Sequence, residues 1–379
     1  MNQEIDFKQI CIDLGADIID PERNYWFVRT KGGRFYSDFY NNEYIAIGWN
    51  KVNLSRADNR KEKVVIEEMK QVINSNYPDE KVAGKPAGQI YRFVKKMKSG
   101  DIVLVPNSDT KSILFGEILE DNIFIEEIKE NNKDDVENAL LYNTNDLLLD
   151  ESVRNVICPF EKRRKIKWIK EIDRYKLDSS LYSLLNSHGA VSGANKYSYS
   201  IDRELSSFYI KGEKAHIVQR ITTKEDIPAI DLLNFVYNNL KFIDIYNEIF
   251  DEDISKNDVN MKLNVQSPGL IDFQGSIVVM GIIGLLGIFF GGGNIKIKKG
   301  SDGSFEFEMS SNGVLKQALD HIQFKIKNSS FSEEDIKEEL RESQEKLQIE
   351  SPFMQNNSEI VITSEIDEDV KLENNKKEE

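Results

Sequence analysis

At 379 residues the chain is longer than one ordinary domain, so two domains plus extensions are expected. Its 40% apolar and 30% charged residues match globular usage, which calls for a real hydrophobic core. The net charge of −15 speaks against indiscriminate nucleic-acid binding, although 16 acidic against 6 basic residues from Phe331 onward supply most of it.

In chain order, Ile5, Ile10, Leu14 and Ile18 recur at helical spacing and predict an N-terminal helix within 1–20, stopped by Pro21. Residues 24–29 and 44–49 read as aromatic and β-branched strands, separated by the Lys31–Arg34 turn. Val64, Val65, Met69, Val72 and Ile73 form one stripe of a helix over 62–75, and a second helix is expected over 88–97. Residues 101–106 and 112–118 form a hairpin, 165–169 a further strand, and 178–185 a short helix. This order suggests a small mixed barrel in place of a parallel doubly wound sheet.

A second unit is expected from about residue 198. It opens with a hairpin around Lys211–Lys214 and continues with an amphipathic helix over 227–250. A strand over 261–265, a hydrophobic glycine-rich helix over 275–293, a hairpin around Gly300–Gly303 and a helix over 313–326 follow. The expected organisation is therefore a helix at 1–20, a recognition domain at 21–197 and an α+β domain at 198–330. Residues 331–379 complete it as a charged helix and a disordered acidic tail.

Several chemistries find no motif. Gly84-Lys85 runs into Pro86 and is not a phosphate-binding loop, and no Gly-x-Gly-x-x-Gly opens a helix after a strand. His188, His216 and His321 stand apart without ligand neighbours, so no metal and no cofactor is expected. Glu126-Glu127-Ile128-Lys129 is only a superficial match to a nuclease Glu-x-Lys. Cys11 and Cys158, the only cysteines, suggest no disulfide framework. With Glu4 and Asp6 and no apolar run, the N-terminus does not read as a secretory signal, and a cytoplasmic protein is expected.

The positive signal lies in the first half. It comprises Trp26-Phe27-Val28-Arg29, the Gly32-Gly33 turn, Asp38-Phe39, Ile45-Ala46-Ile47-Gly48-Trp49 and Gly88–Phe93. Gly100–Pro106, Phe115–Ile118, Lys167-Trp168 and Asp173-Arg174 complete the ordered set. Together it resembles the PUA/EVE-like domains of bacterial restriction and antiphage proteins, including the N-terminal part of Mrr-like proteins, over residues 21–185. The resemblance implies a pocket that reads nucleobases, modified or flipped out of the stack. Trp26, Trp49 and Trp168, the only tryptophans, are candidates to stack on a base or to fill the barrel core. Arg29 and Arg92 are candidates for phosphate or for carboxylate partners, and Asp38 for a base edge or a turn cap. The run Lys162, Arg163, Arg164, Lys165, Lys167 and Lys170 reads as a solvated edge or a groove for a nucleic-acid backbone, with Arg163, Arg164, Lys165 and Lys167 as the contacts.

Residues 273–295 carry no charge, and Gly281, Gly284 and Gly287 recur three apart within them. Glycines so spaced let helices approach closely, so this helix suits a packed core, self-association or a membrane, with the three glycines as the contact positions. Lys296, Lys298 and Lys299 follow the segment, an arrangement that would export everything before it and fits a simple span poorly.

The leading expectation is a non-enzymatic recognition protein of a bacterial antiphage defence system. It reads a nucleic acid or nucleotide and couples this to oligomerisation or membrane action, alone or with other proteins of that system. The alternatives are a nuclease or nucleotide hydrolase built on scattered residues such as Asp202, Arg203 and His216, and a membrane-associated scaffold.

Overall fold

The computed structural model describes residues 5–55, 58–127, 137, 141, 158–264, 269–291, 297–299, 305–307, 314–329, 331–349 and 352. The architecture is mixed α+β. The chain divides into two compact units, one from 25–175 and 184–193, the other from 1–24, 176–183 and 194–356.

In chain order the elements begin with α1 (Phe7–Asp13) and β1 (Asp17–Ile19), followed by β2 (Tyr25–Val28), α2 (Tyr36–Asn41) and β3 (Tyr44–Ile47). Next come α3 (Glu62–Asn76), α4 (Gly84–Tyr91), β4 (Ile102–Pro106), β5 (Ser112–Ile118), β6 (Phe124–Ile125), β7 (Lys162–Asp173) and β8 (Val191–Gly193). The remainder is α5 (Ser198–Leu205), β9 (Phe208–Lys211), β10 (Lys214–Ile221), α6 (Ala229–Phe250), β11 (Asn260–Asn264), β12 (Gly269–Ser276), α7 (Ile277–Gly291), β13 (Ile297–Lys299), β14 (Phe305–Phe307), α8 (Val314–Lys327) and α9 (Glu333–Leu347).

In the first of these units a seven-stranded sheet runs β3-β7-β5-β4-β2-β8, with β6 also on β7, and curls into a half-barrel. The long strand β7 does the curling. Its first residues pair with β3 and the rest pair with β5, with a bulge opposite Phe115 and Gly116. Gly116 is required there, because a Cβ would stand 2.4 Å from Ile166 and 2.5 Å from Trp168. Val65, Met69 and Ile73 of α3 and Ala87 and Ile90 of α4 belong to the same core as the inward residues of the sheet.

The other unit holds a five-stranded sheet, β1-β9-β10-β12-β11. The N-terminal segment, expected as one helix, is a short helix followed by an edge strand that pairs in parallel with β9. Gly15, at φ +93°, makes the turn between them. Alternation along the strands divides the sheet cleanly. Phe208, Ile210, Ala215, Ile217, Ile271 and Phe273 enter the main core, while Tyr209, His216, Val218 and Asp272 face the other way.

Helix α7 is the centre of that core, against α1, α6, α9, β10 and β12. Nine of its large apolar side chains, Val279 to Phe290, are buried. The glycines expected to face another copy or a membrane are corrected in part by this packing. Gly281 serves α1 inside the unit, where a Cβ would stand 2.9 Å from the Phe7 ring. Gly284 is buried one turn further on, and only Gly287 is half-exposed, so the three do not form an open face. The physical reason is that α7 is apolar all round, and its own unit covers it on most sides.

At roughly 1.5–3 kcal/mol per buried side chain, withdrawing α7 would cost on the order of 15–25 kcal/mol. That exceeds the roughly 5–15 kcal/mol by which a whole protein is stable, so release of α7 amounts to unfolding the unit. No helix among the described residues is long and apolar enough to cross a membrane. The acidic tail and the Ile128-Lys129 half of the Glu-x-Lys match lie outside the described residues.

Candidate functional site

The tryptophans of the half-barrel are all packed in its core, but in different states. Trp26 donates its indole N–H to buried Asp101 at 2.8 Å. Trp168 donates to the carbonyls of Phe39 and Tyr40, both at 3.2 Å. Those two are anchored at the ring edge and serve the fold. Trp49 is the exception: it is buried, and among the described residues its indole nitrogen has no hydrogen-bond partner. Its backbone also sits at φ +59°, a left-handed conformation that a bulky side chain adopts only under constraint.

The polar candidates divide in the same way. Asp38 accepts from Tyr44 at 2.5 Å, from Asn42 at 2.7 Å and from the Cys158 amide at 2.8 Å, so it organises the turn around α2. Arg29 is half-buried and donates to the carbonyls of Leu185 and Ser187. Arg92 is exposed and donates to the Val191 carbonyl at 3.2 Å. Neither arginine has a carboxylate partner in these contacts; each ties the stretch 185–191 to the half-barrel.

The first three residues of the basic run of β7, Lys162, Arg163 and Arg164, are inside the protein. Arg164 is fully buried, and its guanidinium donates to four carbonyls, those of Phe93, Val94, Glu120 and Asp121. Arg163 lies over the Tyr44 ring and donates to the carbonyls of Cys158 and Phe160. The phosphate contacts expected of these two arginines are corrected accordingly, since a guanidinium engaged with buried carbonyls offers no donor to a backbone outside. Lys162 donates to the Trp49 carbonyl at 2.8 Å, and burial pulls its ammonium down to about 8 despite Glu137 and Glu161 nearby. Only Lys165 and Lys167 of the four expected contacts are exposed, and Lys165 pairs with Glu120 at 3.0 Å.

The chain just after Trp49 is held by buried side chains. Asn50 donates its backbone amide to the Glu137 carboxylate at 2.7 Å and its side-chain amide to the Pro159 carbonyl at 2.8 Å. Tyr77, fully buried, accepts from the Lys51 amide at 3.0 Å and approaches Glu137 at 3.2 Å. Buried Glu137, Lys162 and Tyr77 thus hold the backbone at Trp49 and over the two residues after it. This is how a strained residue persists: the neighbours over-determine it. The sequence singled out Trp49 but gave no sign of its backbone state or of Glu137 and Tyr77.

The five-stranded sheet carries a second polar cluster, on the face opposite α7. Helix α5 covers it and contributes Tyr199, Asp202, Arg203 and Glu204. Arg203 pairs with buried Asp178, Lys211 with Asp202 at 2.7 Å, and Arg220 with Glu204 at 3.5 Å. His216 stacks on Tyr209 at 4.4 Å and places Nδ1 3.4 Å from Asp272, which also accepts from the Tyr199 hydroxyl. Asp202, Arg203 and His216, named separately from sequence, therefore fall on one face. The signal that could have united them is strand parity, which puts Tyr209, Lys211, His216, Arg220 and Asp272 on the same side. Among the described residues no group of three or more potential metal ligands forms.

Comparison with known proteins adds one match. A domain family of unknown function, DUF8426, matches residues 26–140, less than a third of the chain and wholly within the half-barrel unit. No curated protein and no solved structure matches the chain.

Proposed function

We propose that the half-barrel unit is the reading head of a recognition protein and that Trp49 is its reading residue. The ligand in this proposal is a nucleic acid or nucleotide with an exposed, modified or flipped base. The observation that carries it is Trp49 itself: buried, held at positive φ, and with an indole N–H that is unpaired among the described residues, where Trp26 and Trp168 are both satisfied. A stored local strain with an unpaired donor is the signature of a ligand contact more than of a core filler. The PUA/EVE-like resemblance over residues 21–185, drawn from the motif set that includes Gly48-Trp49, supports the same reading. A role in bacterial antiphage defence is part of this proposal and follows from the resemblance alone.

The reading is narrower than the sequence suggested in two respects. Phosphate contact falls to Lys165, Lys167 and the exposed Arg92, so binding depends on the base more than on the backbone. Self-association or membrane action through residues 275–293 has little support at rest, because α7, with Gly281 and Gly284, is enclosed in its own core.

The test is binding of the full chain to single- and double-stranded DNA, with and without modified bases, at two salt concentrations. We expect preference for a modified base and a loss of about 5- to 150-fold in Trp49→Ala, the range of one lost base–aromatic stack. With about three phosphate contacts, log affinity should fall with log salt at a slope of about −2 to −3. Affinity indifferent to Trp49, or a slope of about −6, would remove the proposal.

A further inference from the structure

The α5 face of the five-stranded sheet contains buried polar groups with bonds to spare. Asp272 is fully buried, and its Oδ1 has no hydrogen-bond partner among the described residues. Arg203 Nε is likewise buried and unpartnered among those residues. His216 uses Nδ1 toward Asp272 and, among the described residues, makes no hydrogen bond through Nε2. Lys262, exposed on edge strand β11, holds its ammonium 3.7 Å above the Tyr199 ring, with no carboxylate in ion-pair distance among the described residues. Arg203 flanks the same ring at 4.9 Å.

A buried ionic cluster kept only for stability gains little, since apolar residues of the same volume do as well or better. Orphaned atoms in such a cluster call for an explanation. Here the orphans are chemically complementary to a particular kind of molecule. A guanidinium Nε–H, an ammonium and an imidazole together suit the oxygens of a phosphate. A buried carboxylate oxygen with a free lone pair suits a hydroxyl donor.

We propose that Asp272, His216, Arg203 and Lys262 form a second ligand site, for a small phosphorylated sugar or nucleotide. The phosphate lies between Lys262 and Arg203, and a sugar hydroxyl donates to Asp272 Oδ1. Tyr199 is the door. Its hydroxyl now donates to the other Asp272 oxygen and both cations lie against its ring, so the ligand enters as that ring swings out. The site is independent of Trp49.

Calorimetric titration of the full-length protein with ribose 5-phosphate, and with methyl phosphate as a comparator lacking hydroxyls, tests this. Ribose 5-phosphate should bind, and Lys262→Ala should weaken it at least about fivefold. Asp272→Asn should weaken ribose 5-phosphate while leaving methyl phosphate unchanged, and Trp49→Ala should affect neither. If Asp272→Asn fails to fold, exposed Lys262→Ala still decides the matter. No heat with ribose 5-phosphate, or binding indifferent to Lys262→Ala, would overturn the proposal. So would equal binding of the two phosphates by the wild-type protein.

Discussion

The two units partner their basic side chains by different rules. In the half-barrel, Arg29, Arg92, Lys162, Arg163 and Arg164 all donate to main-chain carbonyls. On the α5 face of the other unit, Arg203 and Lys211 are matched to the carboxylates of Asp178 and Asp202. Arg220 shares both habits, reaching Glu204 and two carbonyls. Carbonyls are fixed by the fold and cannot be exchanged, so cations bound to them act as mortar between segments. Arg164 shows this best: it joins the chain after α4 to the turn after β5 through four oxygens. Side-chain pairs can be rearranged and, on the α5 face, are incomplete. The lesson is that a basic run in a sequence marks a surface only if its partners lie outside.

The largest effect expected from this difference is at Arg164. Arg164→Met should cost about 3–5 kcal/mol in chemical denaturation, because buried carbonyls lose a charged donor together. A loss under about 1 kcal/mol would mean that the carbonyls find water, and that the mortar picture is mistaken. Asp178→Asn removes the carboxylate paired with buried Arg203 and should destabilise by a comparable or slightly smaller amount, about 3 kcal/mol.

Lys162 sharpens the comparison through pH. Burial holds its folded value at about 8, below the ordinary lysine value, so between pH 8 and about 10 the unfolded chain binds the extra proton. The contribution of Lys162 to stability therefore rises with pH across that window, on the order of 1–3 kcal/mol, and its penalty is complete below pH 8. Lys162→Met should flatten the slope, which denaturation midpoints at about pH 7.5 and 9.5 would show. Above about pH 10 the buried tyrosines reverse the trend. Burial raises Tyr36, Tyr44 and Tyr209, so stability is lost as their unfolded counterparts ionise.

The smallest effect is at Lys165. Its exposed pair with Glu120 should contribute under about 1 kcal/mol, and Lys165→Ala should leave stability unchanged within error. The same substitution should reduce the salt slope of DNA binding by about 1 if Lys165 touches a phosphate.

Much of the fold was legible because its signals are local. The stripe from Val65 to Ile73, the hairpin around 107–111 and the hairpin around 212–213 appear where periodicity and turn residues place them. The first helix was overread because Ile18 continues the apolar spacing, whereas Gly15 turns the chain and Ile18 is exposed on an edge strand. Helix α2 went unnoticed, since Tyr36–Asn41 has neither a capping side chain nor an apolar stripe. The spacing of Gly281, Gly284 and Gly287 announced a close approach but not its partner, which for Gly281 is Phe7 of the same chain. The site was legible only as residue types. Nothing in Trp26, Trp49 and Trp168 as letters says which indole finds a partner; that depends on Asp101, Phe39 and Tyr40 arriving from elsewhere. The clustering of Asp202, Arg203 and His216 likewise needed the pairing of β9, β10 and β12.

The most direct test of the account is a protein in which Trp49 is the single tryptophan, made by Trp26→Phe and Trp168→Phe. Its fluorescence would be followed while oligonucleotides with ordinary and modified bases are added. The account predicts saturable quenching of Trp49 emission, stronger with the modified base and reproducing the affinity measured by an independent binding assay. Oligonucleotide binding that leaves the Trp49 emission unchanged would contradict it, as would no binding by a protein shown to be folded.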